Sequence, residues 1–300
     1  MQTPPITTPK NLSLHTVKNI VAAATIAIPA MSFFFVFYLF LQGAIAIHDW
    51  ALFFVMFLFG GFGITVGYHR LFSHVSFKAK PWFKVLLGIM GSASAQGPLL
   101  FWVDIHRRHH KFSDKEGDPH SPYFFDNKVT IKGFFRAHFS WMFEEISHSW
   151  TKEVRDLIRD KQIMWVHQNY TVFLLLGILT PGLFSLIFEP SLFGFFKGLL
   201  IGGLFRIFIT QHVTWAVNSC CHVFGFRSYQ TTDHSTNFWP IGLLALGEGW
   251  HNNHHAFPYS ARQGLRFWQI DPSYYFLRML SIFGVVWDLK YPRQDRHMKS

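Results

Sequence analysis

Long uncharged runs alternate along this chain with short segments dense in basic residues and histidine. Between Lys18 and His48 no charged residue or histidine interrupts the apolar run IVAAATIAIPAMSFFFVFYLFLQGAIAI. At about 1.5 Å of rise per residue it exceeds a ~30 Å hydrocarbon core, so it predicts a tilted membrane span over residues 19–45. Pro29 is expected only to kink this helix, because a broken helix end in lipid finds no water to satisfy it. Further apolar runs predict spans over residues 50–68, 168–188 and 194–218. Short connections pair the four spans into two helical hairpins.

The run from Pro81 to Trp102 is apolar enough to tempt a fifth span. Its end, GSASAQGP, reads better as a helix lying in or dipping from the interface, and a fifth span would divide the histidines between the two sides of the membrane. The polar leader is long and no small-residue cleavage site precedes the next span, which argues against a signal peptide. Both hairpin tips, near Asp49 and Glu189, lack Lys and Arg except for Lys197 just inside span four. Most other basic residues fall in the leader, in residues 70–162 and after residue 222, so the positive-inside rule predicts a cytoplasmic middle segment and cytoplasmic termini. The expected fold is an all-α, multi-pass integral membrane protein. Four transmembrane helices carry a helical cytoplasmic cap built from residues 69–167 and 219–290, with residues 1–300 forming a single domain. The stretch from Asp114 to Lys132 is polar and turn-rich, and the tail after Tyr291 is expected to be loose.

Composition strengthens the membrane reading. Charged residues make up 15% of the chain, against 36 Phe and 11 Trp, whereas an average soluble domain carries about 25% charged residues. A net charge of +10 suits anionic lipid headgroups or an acidic protein partner, and does not by itself imply nucleic acid. The adjacent Cys220 and Cys221 cannot build a disulfide framework and fit a reducing compartment.

The 18 histidines need a separate explanation, and eight of them lie in three short words: HRLFSH (His69, His74), HRRHH (His106, His109, His110) and HNNHH (His251, His254, His255). Spacing of i, i+3 and i+4 puts all three side chains of HRRHH on one helical face, close enough to share metal ions, and HNNHH repeats it. His69 and His74 are five apart, so on an α-helix they diverge and would sooner reach different ions or need a bend. Many imidazoles with few carboxylates suit divalent iron, zinc or copper, and poorly suit calcium or magnesium. The words follow span two, fall in the middle segment and follow span four, so all can meet at one cytoplasmic mouth. His15, His48, His138, His148, His167 and His297 are expected to be structural or solvated, while His120 and His234 stay open. Arg206, costly within span four, should face a partner or a water-filled site, either as a structural ion pair or as a substrate contact.

The order HxxxxH, HxxHH, HxxHH, with a hairpin between the words, resembles the membrane fatty acid desaturases over roughly residues 45–290. WAVNSCCHVFG, ending span four, is similar to the NSxxH word of the delta-9 members, and GEGWHNNHHAFPYSARQGLRFWQID resembles the bacterial, cyanobacterial and plant branch more than the animal one. The resemblance implies two iron ions held by nine histidines: His69, His74, His106, His109, His110, His222, His251, His254 and His255. Asn218 would hold one iron through a water, and its spacing of four from His222 lets both face the same ion. It also implies O2-dependent desaturation of a long-chain saturated acyl chain, leaving a cis double bond at the delta-9 position. Gln96, Trp102 and Thr214 match positions that shape the bent apolar tunnel of the delta-9 enzymes, and Trp215 is expected on its wall. Phe53 and Phe57, one turn apart on span two, are candidates for a tunnel floor that limits chain length.

A methylene C–H has no acidic proton and no leaving group, so the oxidising power must come from a cofactor while the protein supplies position and dryness. Two electrons must arrive from outside. The chain has no GxGxxG, CxxC or haem-binding HPGG word, so a ferredoxin-like or cytochrome b5-like donor is implied, attracted by the basic face. Animal acyl-CoA members carry Arg-Asp just before the second box, where this chain has Asp104-Ile105, which weighs toward a glycerolipid-bound acyl chain over acyl-CoA. A di-iron hydroxylase would share the same hydrogen abstraction and give an alcohol. A membrane metal-handling protein would use the histidines for binding alone, but it would normally expose ligands along a path through the membrane, and polar residues here are almost confined to span four.

Overall fold

The computed structural model describes residues 14–125, 128–144 and 152–292. Residues 1–13 of the leader, His148, His297 and most of the tail after Tyr291 lie outside the described residues. α1 (Leu14–Leu41) carries Pro29 without breaking, and the chain turns just beyond it at Gly43, whose φ of +64° costs a glycine little. α2 (Ile47–Phe62) runs directly into a π-helical segment, Gly63–Ser73. α3 (Pro81–Ser92) and α4 (Leu99–Phe112) follow, with a break over residues 93–98. The middle segment forms the short helices α5 (Ile131–His138), α6 (Arg155–Ile158) and α7 (Lys161–Gln168). α8 (Tyr170–Ser185) then precedes α9 (Leu192–Gly198), which passes through a second π-helical segment, Leu199–Phe205, into α10 (Arg206–Ser219). The last helices are α11 (Trp239–Leu244), α12 (His251–Ala256) and α13 (Pro272–Ile282). Among the described residues the one sheet is an antiparallel ribbon of β1 (Lys78–Ala79) and β2 (Val286–Trp287), with Lys78 opposite Trp287.

Three helical runs are long and apolar enough to cross a membrane: His15–Leu41, Ile47–Ser73 and Leu192–His222. Where residues 168–188 predict a third span, the chain is bent. α8 has 16 residues, about 24 Å of helix, which falls short of a ~30 Å core. α7 precedes it at an angle of 61°. Asn169 stands at the bend with φ −96° and ψ 17°, so the polar Gln168-Asn169 pair interrupts the helix. Pro81 to Trp102 forms no candidate span among the described residues, because the backbone leaves the helical path between α3 and α4.

The centre of the fold is where the π-helical segment after α2 packs on α3. A Cβ on Gly63 would lie 2.3 Å from the α3 backbone, and one on Gly91 would lie 2.3 Å from the Tyr68 ring. The missing side chains allow the close approach. Tyr68 reaches across to Ser92 through a 2.9 Å hydrogen bond between their hydroxyls. Val66, Leu87, Leu99, Val103, Ile163, Val166 and Leu277 complete a buried cluster that joins α3, α4, α7 and α13 beneath the segment carrying His69. Phe34, Phe35, Phe37 and Phe40 on α1 stay more than half exposed, as a face meeting lipid would.

At the opposite end, Lys197 is buried between two carboxylates, 2.9 Å from Asp49 Oδ2 and 2.8 Å from Glu189 Oε2. The basic exception at the hairpin tips is thus neutralised by the acids of both tips, and it joins α9 to the start of α2. Removing the ammonium leaves a buried, uncompensated Asp49. Lys197→Met is expected to lower stability by about 3 kcal/mol, read as a lower thermal midpoint of the purified protein in detergent. An unchanged midpoint would show that the tip cluster contributes nothing.

Candidate metal centre and apolar cavity

The local backbone decides how the histidines meet. In the π-helical turn the His74 N–H donates to the His69 carbonyl at 3.2 Å, an i to i+5 bond. The wider turn brings residues five apart onto one face, which an α-helix would not. His69 and His74 therefore join one group with His106, His110 and His254, their ligand nitrogens all within 4.8 Å of one another. Of the two alternatives that the spacing of five leaves open, different ions or a bend, the wider turn is the second. His109, His222, His251 and His255 form a second group under the same limit.

Each HxxHH word serves both groups. α4 sends His106 and His110 to the first and His109 to the second, while α12 sends His254 to the first and His251 and His255 to the second. On a helix, i and i+4 stand nearly in line and i+3 falls to one side. Two such helices facing each other offer three nitrogens toward each of two points, counted with the residue each receives from the other. One shared face is correct, but it addresses two sites.

The inner nitrogens are spaced as a coordination shell spaces them. In the first group His69 Nε2 lies 3.0 Å from His254 Nε2, which lies 2.9 Å from His110 Nε2, and His74 Nε2 lies 2.8 Å from His106 Nε2. In the second group His251 Nε2 lies 3.2 Å from His222 Nε2 and 3.0 Å from His255 Nε2. Metal–nitrogen bonds of about 2.1 Å put neighbouring ligands at such separations. His109 Nε2 is buried with no hydrogen-bond partner, an orphan that a metal ion would satisfy.

The outer nitrogens are anchored by acids. Glu248 Oε2 lies 2.5 Å from His69 Nδ1, Asp118 Oδ1 3.1 Å from His109 Nδ1, Asp114 Oδ2 2.8 Å from His222 Nδ1, and Asp233 Oδ2 2.8 Å from His255 Nδ1. An ionised carboxylate only accepts, so each Nδ1 carries the proton and each Nε2 offers its lone pair inward. Arg70 steadies this layer by donating to Glu248 at 2.5 Å and to Asp271 at 3.1 Å. These acids were not singled out by sequence. Their positions were visible, with Glu248 in GEGW just before HNNHH and Asp114 and Asp118 in the loop after HRRHH, but a lone carboxylate carries no spacing signature.

Electrostatics prepares the site for a cation. Burial, then repulsion among neighbouring imidazoles, holds His74, His106, His110, His251 and His254 well below the ordinary histidine value. Burial brings His255 down to about 4 even beside Asp233. Burial alone would raise Asp118, yet the His109 imidazole outweighs it and holds the carboxyl down at about 2. Glu248, Asp114 and Asp233 are likewise held below their usual range by their histidine partners against the effect of burial. Neutral nitrogens surrounded by buried anions fit divalent metal ions.

An apolar cavity of about 560 Å³ opens beside both groups, with His69, His106 and His251 on its wall. Gln96, Trp102, Thr214 and Trp215 line it, as does Asn218. The Trp102 ring stacks on His106 with centroids 5.0 Å apart. Phe57 borders a smaller cavity of about 30 Å³ that shares Ile64, Thr214, Val217 and Glu248 with the large one. Phe53 borders neither and packs with Val36 and Ile201. Lys18 and Val21 of α1 also line the large cavity, as do Arg108, Arg136 and Glu144. His120 is buried, lines the cavity and packs at a tilt against His109 with centroids 4.6 Å apart. His234 is exposed and stacks on Tyr123. His138 and His212 bond each other at 3.0 Å outside both groups. Arg206 donates to backbone carbonyls and, among the described residues, has no acid partner and does not line the cavity.

The family model described as fatty acid desaturase matches residues 48–278. The chain is 39% identical to the hex-5-enoyl-[acyl-carrier protein] acetylenase of Moorena producens, over 77% of this chain and 73% of that protein. It is 39% identical to the sn-1 stearoyl-lipid 9-desaturase of Synechocystis, over 78% of this chain and 69% of the relative. Delta-9 acyl-lipid desaturase 1 of Arabidopsis thaliana is 39% identical over 80% of this chain and 74% of its own length. The match runs through all three histidine words and the elements that orient them, and the chain belongs to the fatty acid desaturase family.

Proposed function

We propose that this protein is an O2-dependent delta-9 desaturase that places a cis double bond in a long-chain saturated acyl chain. The observation that carries the reading is the pair of buried imidazole groups beside one apolar cavity. His69, His74, His106, His110 and His254 would hold one iron ion, and His109, His222, His251 and His255 a second, with Asn218 reaching one of them through a water. When bound, the iron pair supplies the oxidising power for cleaving unactivated C–H bonds. The chain's own residues do the rest. Trp102, Thr214 and Trp215 hold the alkyl chain beside the imidazoles, the carboxylates fix ring orientation, and the burial of the site keeps out water.

Relatives named for acyl-lipid desaturation, together with Asp104-Ile105 before the second box, favour a glycerolipid-bound substrate over acyl-CoA. A cavity lined in part by the apolar α1 suits a substrate arriving sideways from the bilayer. Electrons come from an acidic ferredoxin-like or cytochrome b5-like carrier drawn to the basic cap. The chain works as one domain of four spans in two hairpins, α7 and α8 together serving as the bent third. Its cap, its site and both termini face the cytoplasm.

Lipids from a strain expressing the protein are expected to gain a cis-9 monoene, located by gas chromatography with double-bond derivatisation. Hydroxylated products without a new alkene would overturn the desaturase reading in favour of a hydroxylase. Replacing His106, His109 or His254 with Ala is expected to abolish this product while membrane insertion persists. Metal analysis of the purified variants should find less than the two irons per chain expected of the parent, and full activity in any variant removes that residue from the ligand set. Asp118→Asn and Asp233→Asn leave the ligands in place but weaken their anchors, so iron should be lost to a competing chelator at about 10- to 100-fold lower chelator concentration. Parental retention in both would mean that the carboxylates do not support the metal.

A further inference from the structure

Two polar side chains of α10 resolve a backbone problem at two separate prolines. Pro181, inside α8, has no N–H, so the carbonyl of Gly177 four residues earlier lacks its helical donor. Arg206 Nη2 donates to that carbonyl at 3.0 Å. Pro29, inside α1, orphans the carbonyl of Thr25 in the same way. Gln211 Nε2 donates to it at 3.1 Å. Both donors are fully buried, and hydrocarbon offers no water in their place.

The same two side chains hold the break between α3 and α4. Arg206 Nη1 donates to the Ala93 carbonyl at 3.0 Å, capping the end of α3 with a positive charge where the helix dipole is negative. Gln211 Nε2 donates to the Ala95 carbonyl at 3.2 Å. Ala95 has φ +55° and Gly97 φ +96°. An alanine in the left-handed region persists only where its surroundings over-determine it. Between the two stands Gln96, which lines the cavity and whose own Nε2 is buried without a partner. That amide nitrogen provides no tether, so the clamped backbone on its amino-terminal side sets where the residue sits.

We propose that Arg206 and Gln211 are positioning residues that fix Gln96 and the adjoining cavity wall, and thereby select which methylene of the acyl chain is desaturated. The proposal rests on the desaturase reading above. Neither residue belongs to the two histidine groups, and a wall shifted by about 1 Å relative to the reacting position is enough to change which bond reacts.

The test reads double-bond position in lipids from expressing cells, comparing the parent with Gln211→Met, which keeps the bulk and removes both donated bonds. The parent is expected to give one positional isomer. Gln211→Met should raise neighbouring isomers from a trace to on the order of a tenth of the product, the scale of one lost hydrogen bond. Arg206→Lys, which keeps a charged donor, should broaden the product less than Arg206→Met. Glu189→Gln, which weakens the distant tip cluster, controls for general destabilisation and should leave the position sharp. If Gln211→Met does not accumulate in membranes, Gln211→Asn, whose amide is one methylene shorter, carries the same expectation. Active Gln211 variants that keep a single parental isomer overturn the positioning role, as does equal broadening in Glu189→Gln. A parent that forms no alkene overturns the desaturase reading itself.

Discussion

Four carboxylates decide which way the imidazoles face. With the Nδ1–H groups of His69, His109, His222 and His255 committed to Glu248, Asp118, Asp114 and Asp233, the Nε2 lone pairs have one direction left, toward the interior of the two groups. Without those anchors a crowd of buried imidazoles would relieve its desolvation and mutual repulsion by rotating outward. With them, the rings are inward-facing and bordered by buried anions, of which Glu248 is offset in part by Arg70. Such a shell is incomplete without cations. Orientation and charge thus come from residues outside the two imidazole groups.

The second constraint is that backbone polar groups at membrane depth must be satisfied by the protein. The long helices are neither straight nor uniform. Two carry prolines and two pass through π-helical segments, and these irregularities lie against the break between α3 and α4 or lead into the histidines. Non-helical backbone at this depth persists only when another side chain or helix supplies the missing donor. Arg206, an expense on an isolated helix, becomes a structural donor once α3 and α8 are packed around it. The same packing keeps the largely apolar cavity beside the histidines, and C–H chemistry needs a dry site.

Much of the site was legible along the chain because histidine is sparing in most sequences and the three words here are dense. All eight of their imidazoles, with His222 from the NSxxH resemblance, fall into the two groups. Apolar length made three spans plain, while over residues 168–188 it gave no sign of the bend at Gln168 and Asn169. The division of each HxxHH word between two groups was not legible, since it depends on a second helix facing the first. The meeting of His69 with His74 was left open, since a spacing of five suggests either divergence or a bend until the turn is known to be π-helical. Phe53 shows the weakness of composition as a guide, because with 36 phenylalanines in the chain a ring on the right helix need not border the cavity.

The amino-acid order by itself determined the residue types that can bind a transition metal, their three words, and the apolar runs that place them beside a membrane. Those properties are local: side-chain chemistry and short spacing survive in any conformation. Tertiary structure alone decided that distant imidazoles converge, that lone acids become their anchors, and that Arg206 and Gln211 complete the backbone of other helices. Each of these needs two segments far apart in sequence to reach within hydrogen-bonding distance, and no one-dimensional pattern carries a distance between chains of residues that fold back on one another.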